Sequence, residues 1–264
     1  MKDTTVYNVR VIERAMHILA CFDDEHPERG ISEIAQLAGL PASTVLRILV
    51  TLQQAGYVER GVGGEKFRLG PRLMEMGLGI LRRLRVRREA KPFMVALERR
   101  FEETCDLSVF IGSELLCIDV MQSRHALRIA TTPGYRSPLH CTASGKVFLA
   151  YLSPEQVASV VGAALQRYTE KTITAPERLA AQLAEIRACG YGIDDEEFRP
   201  GVRAVAAPIR DSDGTVVAVI GVPGPVERMG GERTQEIAAV LVEATGDISR
   251  RLNEPAEGHA CSVA

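Results

Sequence analysis

Residues 40–60 read LPASTVLRILVTLQQAGYVER. Within residues 36–58, Arg47 is the only charged side chain, in a chain that is 25 % charged. Val45, Ile48, Leu49 and Leu52 recur at helical spacing, which predicts a helix from about Ser43 to Ala55, stopped by Gly56. One face of that helix must pack inward. The other carries small groups at its start (Pro41, Ala42, Ser43, Thr44), then a single cation. A face of that kind suits entry into a DNA major groove about 12 Å wide. Free N–H groups at the helix start favour phosphate. Arg47, one turn in, can reach a phosphate or the O6/N7 edge of guanine. The residues leave one alternative open: Ser43 and Thr44 serve only to cap a structural helix.

The flanking sequence completes a plan. Residues 9–22, VRVIERAMHILACF, place Val11, Ala15, Ile18, Leu19 and Phe22 on one helical face. Ser32 precedes EIAQLAG, a short helix ending at Gly39, and Leu40-Pro41 turns the chain. After the third helix, residues 57–60 and 66–69 flank a GVGG turn and predict a β-hairpin. Three short helices followed by a hairpin is the winged helix-turn-helix arrangement. Arg60, Lys66 and Arg68 beside the tip Gly61–Gly64 are placed as a wing gripping DNA backbone would need them.

Pro71 opens an amphipathic helix, PRLMEMGLGILRRLRVRREA, expected to link two units over residues 71–90. Its stripe of Leu73, Met76, Ile80, Leu81 and Leu84 is large for an isolated linker, which suggests a partner helix; packing on its own C-terminal domain is the alternative. The arginines at 82, 83, 85, 87 and 88 read as a solvated face or as a second nucleic-acid patch. Residues 91–252 are expected to form an α/β body: a helix from Pro92; strands in LSVFIG, LLCIDVM and LRIATT; a loop entering the helix of PLHCTASGKVFLAYL; helices in SPEQVASVVG and TAPERLAAQLAEIRACG; strands RAVAAPI and TVVAVIGV; and a last helix over about 232–252. Residues 253–264 are expected to be a flexible tail.

The totals agree with two units. The chain has 264 residues, 46 % hydrophobic, with no Trp, so the core is mainly Leu, Val, Ile and Ala. Net charge is −2, but residues 1–90 carry +3 and residues 91–264 carry −5, which places any polyanion contact at the N-terminal end. The six cysteines, Cys21, Cys105, Cys117, Cys141, Cys189 and Cys261, form no CxxC pair and read as reduced thiols. No stretch reaches the ~18 apolar residues of a membrane span, and the N-terminus lacks a signal core. A cytoplasmic location is expected, away from the membrane.

On IERAMHILACF, ISEIAQLAGLPASTVLRILVTLQQAGYVER and KFRLGPRLMEMG in the first unit, and PLHCTASGKVFLAYL and TITAPERLAAQLAEIRACGYGIDDEEFRPGVRAVAAPIRDSDGTVVAVIGVPGP in the second, the chain resembles the isocitrate-lyase-regulator (IclR) family of bacterial transcription factors. The resemblance covers about residues 9–252. It implies an α+β chain with an N-terminal winged helix-turn-helix, a linker helix and a C-terminal GAF-like effector-binding domain. Its implied partners are a double-stranded DNA operator, a small-molecule effector such as an aromatic or keto acid, and further copies of the chain as homodimer or tetramer. It also implies an effector site. Carried over position by position, that site is Ala143 and Ser144 before Gly145-Lys146, with Thr142 at the helix start, then Asp194, Ala204, Gly221 and Pro223. Better-known members present a thiol where Ala204 stands and hydroxyls where Gly221 and Pro223 stand. The departure predicts a roomier, more apolar pocket and a larger ligand. Helix capping by Thr142 and Ser144, and a solvated acidic turn at Asp194–Glu197, are the plainer alternatives.

Two other readings find little support. TASGKV lacks the GxxxxGK[ST] spacing, and Val147 stands where a phosphate loop needs a hydroxyl. His140-Cys141 suggests a nucleophile or metal ligands, but adjacent ligands start a tetrahedral site poorly. No metal, cofactor or catalytic residue is expected. The competing function is a small-molecule-processing enzyme whose first unit only dimerises it.

Overall fold

The computed structural model describes residues 9–23, 25–161 and 165–254. The chain divides into two compact units, Met1–Arg83 and Leu84–Ala264. The expected tail lies almost wholly outside the described residues, as does Cys261.

In the first unit, α1 (Arg10–Leu19), α2 (Ile31–Ala38) and α3 (Ala42–Gln54) pack together, and a small sheet closes them. Its strands are β1 (Glu28–Arg29), β2 (Val58–Arg60) and β3 (Phe67–Leu69), in order β1-β3-β2 and antiparallel. The two-residue strand β1 carries no periodicity and was not legible in the sequence. The core is wholly apolar: Ile18, Phe22, Ile34, Val45, Ile48, Leu49, Val58 and Phe67. Each such side chain stabilises the fold by about 1.5–3 kcal/mol relative to exposure. α2 starts one residue before Ser32, capped by Gly30, whose N–H donates to Glu33 Oε2 at 2.6 Å. It ends at Gly39 in the left-handed conformation (φ 63°), as the sequence predicts.

The expected 71–90 helix is two helices. α4 (Pro71–Arg83) stops before Leu84, which is extended, and α5 (Arg85–Phe101) begins at once. Pro92 therefore lies inside α5 and does not start it. Tertiary contacts set the beginning of α5. Val86 and Ala90 are buried, Arg87 and Lys91 both pair with Asp119 at 2.9 Å, and Arg85 donates to the carbonyls of Arg251 and Glu254. Arg85 and Arg87 are thus bonded within the second unit and are not part of a solvated arginine face. No residue of α4 is buried, and Met74, Met76, Leu78 and Ile80 lie exposed.

The second unit is a six-stranded sheet with helices against it. Its strands are β4 (Cys105–Ile111), β5 (Glu114–Met121), β6 (Arg136–Ser137), β7 (Gly192–Asp195), β8 (Val202–Arg210) and β9 (Val216–Pro225). They run in the order β6-β5-β4-β9-β8-β7, every neighbouring pair antiparallel. The helices, besides α5, are α6 (Ala143–Ala150), α7 (Pro154–Val161), α8 (Pro176–Cys189) and α9 (Gly231–Asn253). Two expectations fail here. LRIATT, residues 127–132, is not a strand, and Gly192–Asp195, read as part of a turn, is one. β-branched composition marked the first, but its carbonyls bond to side chains: Ile129 O accepts from Thr104 at 2.9 Å, and Thr131 O from Gln122.

Candidate functional site

In the first unit α3 is capped by Pro41, which has no side-chain acceptor. The hydroxyls of Ser43 and Thr44 are therefore not spent on the cap, against the structural alternative. The helix starts at Ala42, one residue earlier than its pattern predicts. Val45, Ile48 and Leu49 are buried and Leu52 half-buried, which turns Ser43, Arg47, Val50 and Gln54 outward. Ser43 and Arg47 are exposed and Thr44 half-buried. Exposed Leu46 and Val50 flank them with apolar surface.

The wing uses two of its three cations internally. Arg60 donates to the carbonyl of Gly64 at 2.7 Å and lies over the Phe67 ring at 4.1 Å. Arg68 pairs with Glu59 at 2.7 Å and lies 3.7 Å from Glu28. Gly63 and Gly64 both adopt left-handed backbone (φ 93° and 78°), which the tight GVGG tip requires. Lys66 is exposed at that tip.

In the second unit the seven positions singled out for an effector come together. Thr142, Ala143, Ser144, Asp194, Ala204, Gly221 and Pro223 all line one cavity of about 90 Å³. The start of α6 forms one wall and the strands β4, β8 and β9 form the floor. Gly145 lets the loop before α6 fold back on the helix start: a Cβ there would stand 2.3 Å from the Leu139 carbonyl oxygen, on backbone that cannot yield. The glycine of the faint phosphate-loop motif is thus a packing glycine. Thr142 Oγ1 accepts from the Gly145 N–H at 3.1 Å and donates to Pro138 O at 2.7 Å. Its hydroxyl thus caps α6 while the residue also lines the cavity. The N–H groups of Ala143 and Ser144, in the first helical turn, have no intrahelical acceptor.

Asp194, 4 % exposed, is held by the turn that follows β7. Its Oδ1 accepts from the N–H of Glu197 at 2.7 Å and more weakly from Phe198 at 3.4 Å. Burial pushes its carboxyl up to about 7, against the pull of the Glu197 N–H and of Lys146. Lys146, on α6, is fully buried and ion-paired to Glu197, itself 5 % exposed. The DDEE run is therefore not a solvated turn: its first and last acids are interior.

The sequence reading missed the polar part of the cavity. Asp106 and Ser108 on β4, Tyr135, Ser137 and Arg199 also line it. Burial raises Asp106 to about 6, opposed by the Ser108 hydroxyl, which donates to its Oδ2 at 3.0 Å. A signal existed: two polar residues two apart in an apolar strand share a sheet face. Tyr135 and Arg199 left none, since they meet only in the fold, with Arg199 donating to the Tyr135 hydroxyl at 2.7 Å. Ala204, Gly221 and Pro223 lack polar side chains, as the resemblance implies, and these neighbours supply polar groups around them. Cys141, on which a nucleophile reading would lean, is buried, and desolvation with Asp194 and Glu197 nearby pushes its thiol up to about 12. Among the described residues no group of His, Cys, Asp or Glu is placed to hold a metal, and no single helix is long and apolar enough to cross a membrane.

Residues 78–250 match the model of the bacterial transcriptional regulator IclR C-terminal domain, and residues 11–61 match the IclR helix-turn-helix domain. The chain belongs to the IclR family. The transcriptional regulator KdgR of Escherichia coli is 35 % identical over 246 residues, 93 % of either chain. The transcriptional repressor IclR of the same organism is 32 % identical over 244 residues, 91 % of this chain and 89 % of its own. Among solved structures, an IclR homologue from Microbacterium hydrocarbonoxydans complexed with 4-hydroxybenzoate superposes with a TM-score of 0.80 at 30 % identity, covering 92 % of this chain and 98 % of that one. This IclR-family chain is accordingly a transcriptional regulator with an N-terminal helix-turn-helix and a C-terminal IclR domain.

Proposed function

We propose that this regulator represses transcription from a double-stranded DNA operator and that a small organic acid, one ring or smaller, alters that binding. The observation that carries the reading is the single cavity beneath the start of α6, where all seven expected effector positions meet. A carboxylate suits the free N–H groups there and the Arg199 guanidinium at the rim.

In the first unit, Ser43, Thr44 and Arg47 enter the major groove and Lys66 holds the backbone, while Arg60 and Arg68 shape the wing that carries it. Exposed Leu46 and Val50 match thymine methyl groups. The unburied apolar residues of α4 and the short reach of one head support a homodimer on a palindromic site, or a tetramer of two such pairs. Repression follows the relative named a repressor, and the cytoplasm is where such a protein meets its operator. Effector binding works only if it favours one of two arrangements of the dimer.

The test is binding to the chain's own upstream DNA at about 50 and 200 mM salt, with and without a panel of small acids. Tight, salt-weakened binding that one acid changes is the expected result. DNA binding indifferent to every acid sinks the sensing role; turnover of an acid without DNA binding favours the enzyme reading.

A further inference from the structure

Strand β5 is irregular where it passes the cavity. Leu107 of β4 pairs with Asp119 and Ser108 pairs with Cys117, so Ile118 is one residue too many, a β-bulge. On a regular strand Cys117 and Asp119 would share a face. Here they do not. Cys117 faces the cavity with Ser108, whereas Asp119 lies on the opposite face with Leu107 and pairs with Arg87 and Lys91 of α5. The two sides of the bulge are bonded to each other: the Cys117 thiol donates to the Asp119 carbonyl oxygen at 3.6 Å. The Cys117 main chain also bonds to Gly134 and to Tyr135, another wall of the cavity.

The far side of the bulge is a clamp. The Asp119 side chain is 7 % exposed. Its Oδ1 accepts from Lys91 at 2.9 Å and from the Val120 N–H at 3.0 Å, and its Oδ2 lies 2.9 Å from Arg87 Nε. The Arg87 contact is an ion pair without hydrogen-bond alignment, so the guanidinium is free to settle differently when the strand shifts. Arg87 and Lys91 stand one turn apart at the beginning of α5. A buried carboxylate is costly to leave unpaired, so the start of α5 must follow Asp119. A bulge interrupts the ladder, which makes it the place where β5 yields most readily. Arg85, held by the carbonyls of Arg251 and Glu254, ties the same helix end to α9 and not to the cavity.

We propose that Asp119 is the positioning residue through which the cavity acts on the start of α5. A ligand seated against Cys117 shifts the bulge, and the buried carboxylate carries that shift to Arg87 and Lys91, a few residues from Arg83–Leu84, where the first unit joins the second. The proposal rests on the reading of this cavity as the effector site, and supplies the two-state element which that reading requires.

The experiment is hydrogen exchange of the full chain, read by mass spectrometry, with and without benzoate, 4-hydroxybenzoate, butanoate or 2-oxobutanoate, the affinity of each acid being taken by calorimetry. An acid that binds should change amide exchange by about 5-fold or more both at the start of α6 and over residues 85–91. Asp119→Asn should keep that acid's affinity within about 3-fold and keep the α6 change, yet lose the α5 change and the acid's effect on binding to the upstream DNA. Arg87→Gln with Lys91→Gln cuts the same contact from the helix side and should do likewise, so the test survives if Asp119→Asn fails to fold. Arg87→Lys with Lys91→Arg keeps both charges and should preserve the α5 change. A merely structural role would lower the melting temperature of the cut variants and leave the acid's effect on α5 in place. An α5 change that survives both cuts, or an acid that binds the parent without any α5 change, overturns the proposal and leaves the effector site standing. Failure of all four acids to bind removes the acid site itself, and the proposal with it.

Discussion

The two units of this chain treat charge in opposite ways. The head buries eight apolar side chains and no charged one in its core, and keeps Ser43, Arg47 and Lys66 on the outside. The body buries Lys146, Glu197, Asp194, Glu103 and Asp119. The body's buried charges are paired internally, Lys146 with Glu197, Asp119 with Arg87 and Lys91, and Glu103 with Arg228, and of the five only Asp194 lines the cavity. Taking such charges out of water is costly, and each needs a partner. Larger domains bury a greater fraction of their surface and can bear that cost.

The comparison breaks first at Lys146. Lys146→Met strands a buried Glu197 and should destabilise the body by about 3–5 kcal/mol, read by urea unfolding. A loss below about 1 kcal/mol would mean that the pair is hydrated and the contrast with the head is false.

Arg47→Ala should do the reverse. It should leave unfolding within about 0.5 kcal/mol of the parent, as surface changes do, yet cost about 1–3 kcal/mol of specific operator affinity. Unchanged operator binding at two salt concentrations would remove Arg47 from the groove.

The smallest effect sharpens the contrast through pH. Asp106 and Asp194 hold their protons to about 6 and about 7 in the folded chain, against an ordinary 3.8. The folded state therefore binds more protons than the unfolded one between those values. Their contribution to stability is complete below about pH 4 and is lost as pH rises through 6 and 7. Asp194→Asn removes one of the two, so its melting temperature should gain on the parent's by about 2–4 °C between pH 6 and pH 7, where the parent loses about 1 kcal/mol through this group. A gap that stays constant over that range would show that Asp194 titrates as an ordinary surface acid.

How much was legible depended on how local the cause was. The α3 periodicity, the Gly39 and Gly56 stops and the GVGG tip are decided by neighbours a few residues apart, and all were found within a residue or two. The seven cavity positions were found through the family resemblance; their convergence in one place is a property of the fold. The start of α5 was missed because burial of Val86 and pairing with Asp119 outweigh the proline rule at residue 92. Strand β7 was missed because Gly-Ile-Asp-Asp has no strand propensity; pairing of Gly192–Asp195 with Arg203–Ala206 makes it a strand.

The sequence by itself determined the two units, the third helix with its bare outer face, and the family, since periodicity, turn chemistry and long motifs are written along the chain. Only the tertiary structure decided the character of the cavity. Asp106, Ser144 and Gly221 are far apart in sequence, and an antiparallel register brings the first and last together. Burial, not residue type, then holds the carboxyls of Asp106 and Asp194 above the ordinary range at the cavity, and burial is a property of the packed molecule alone.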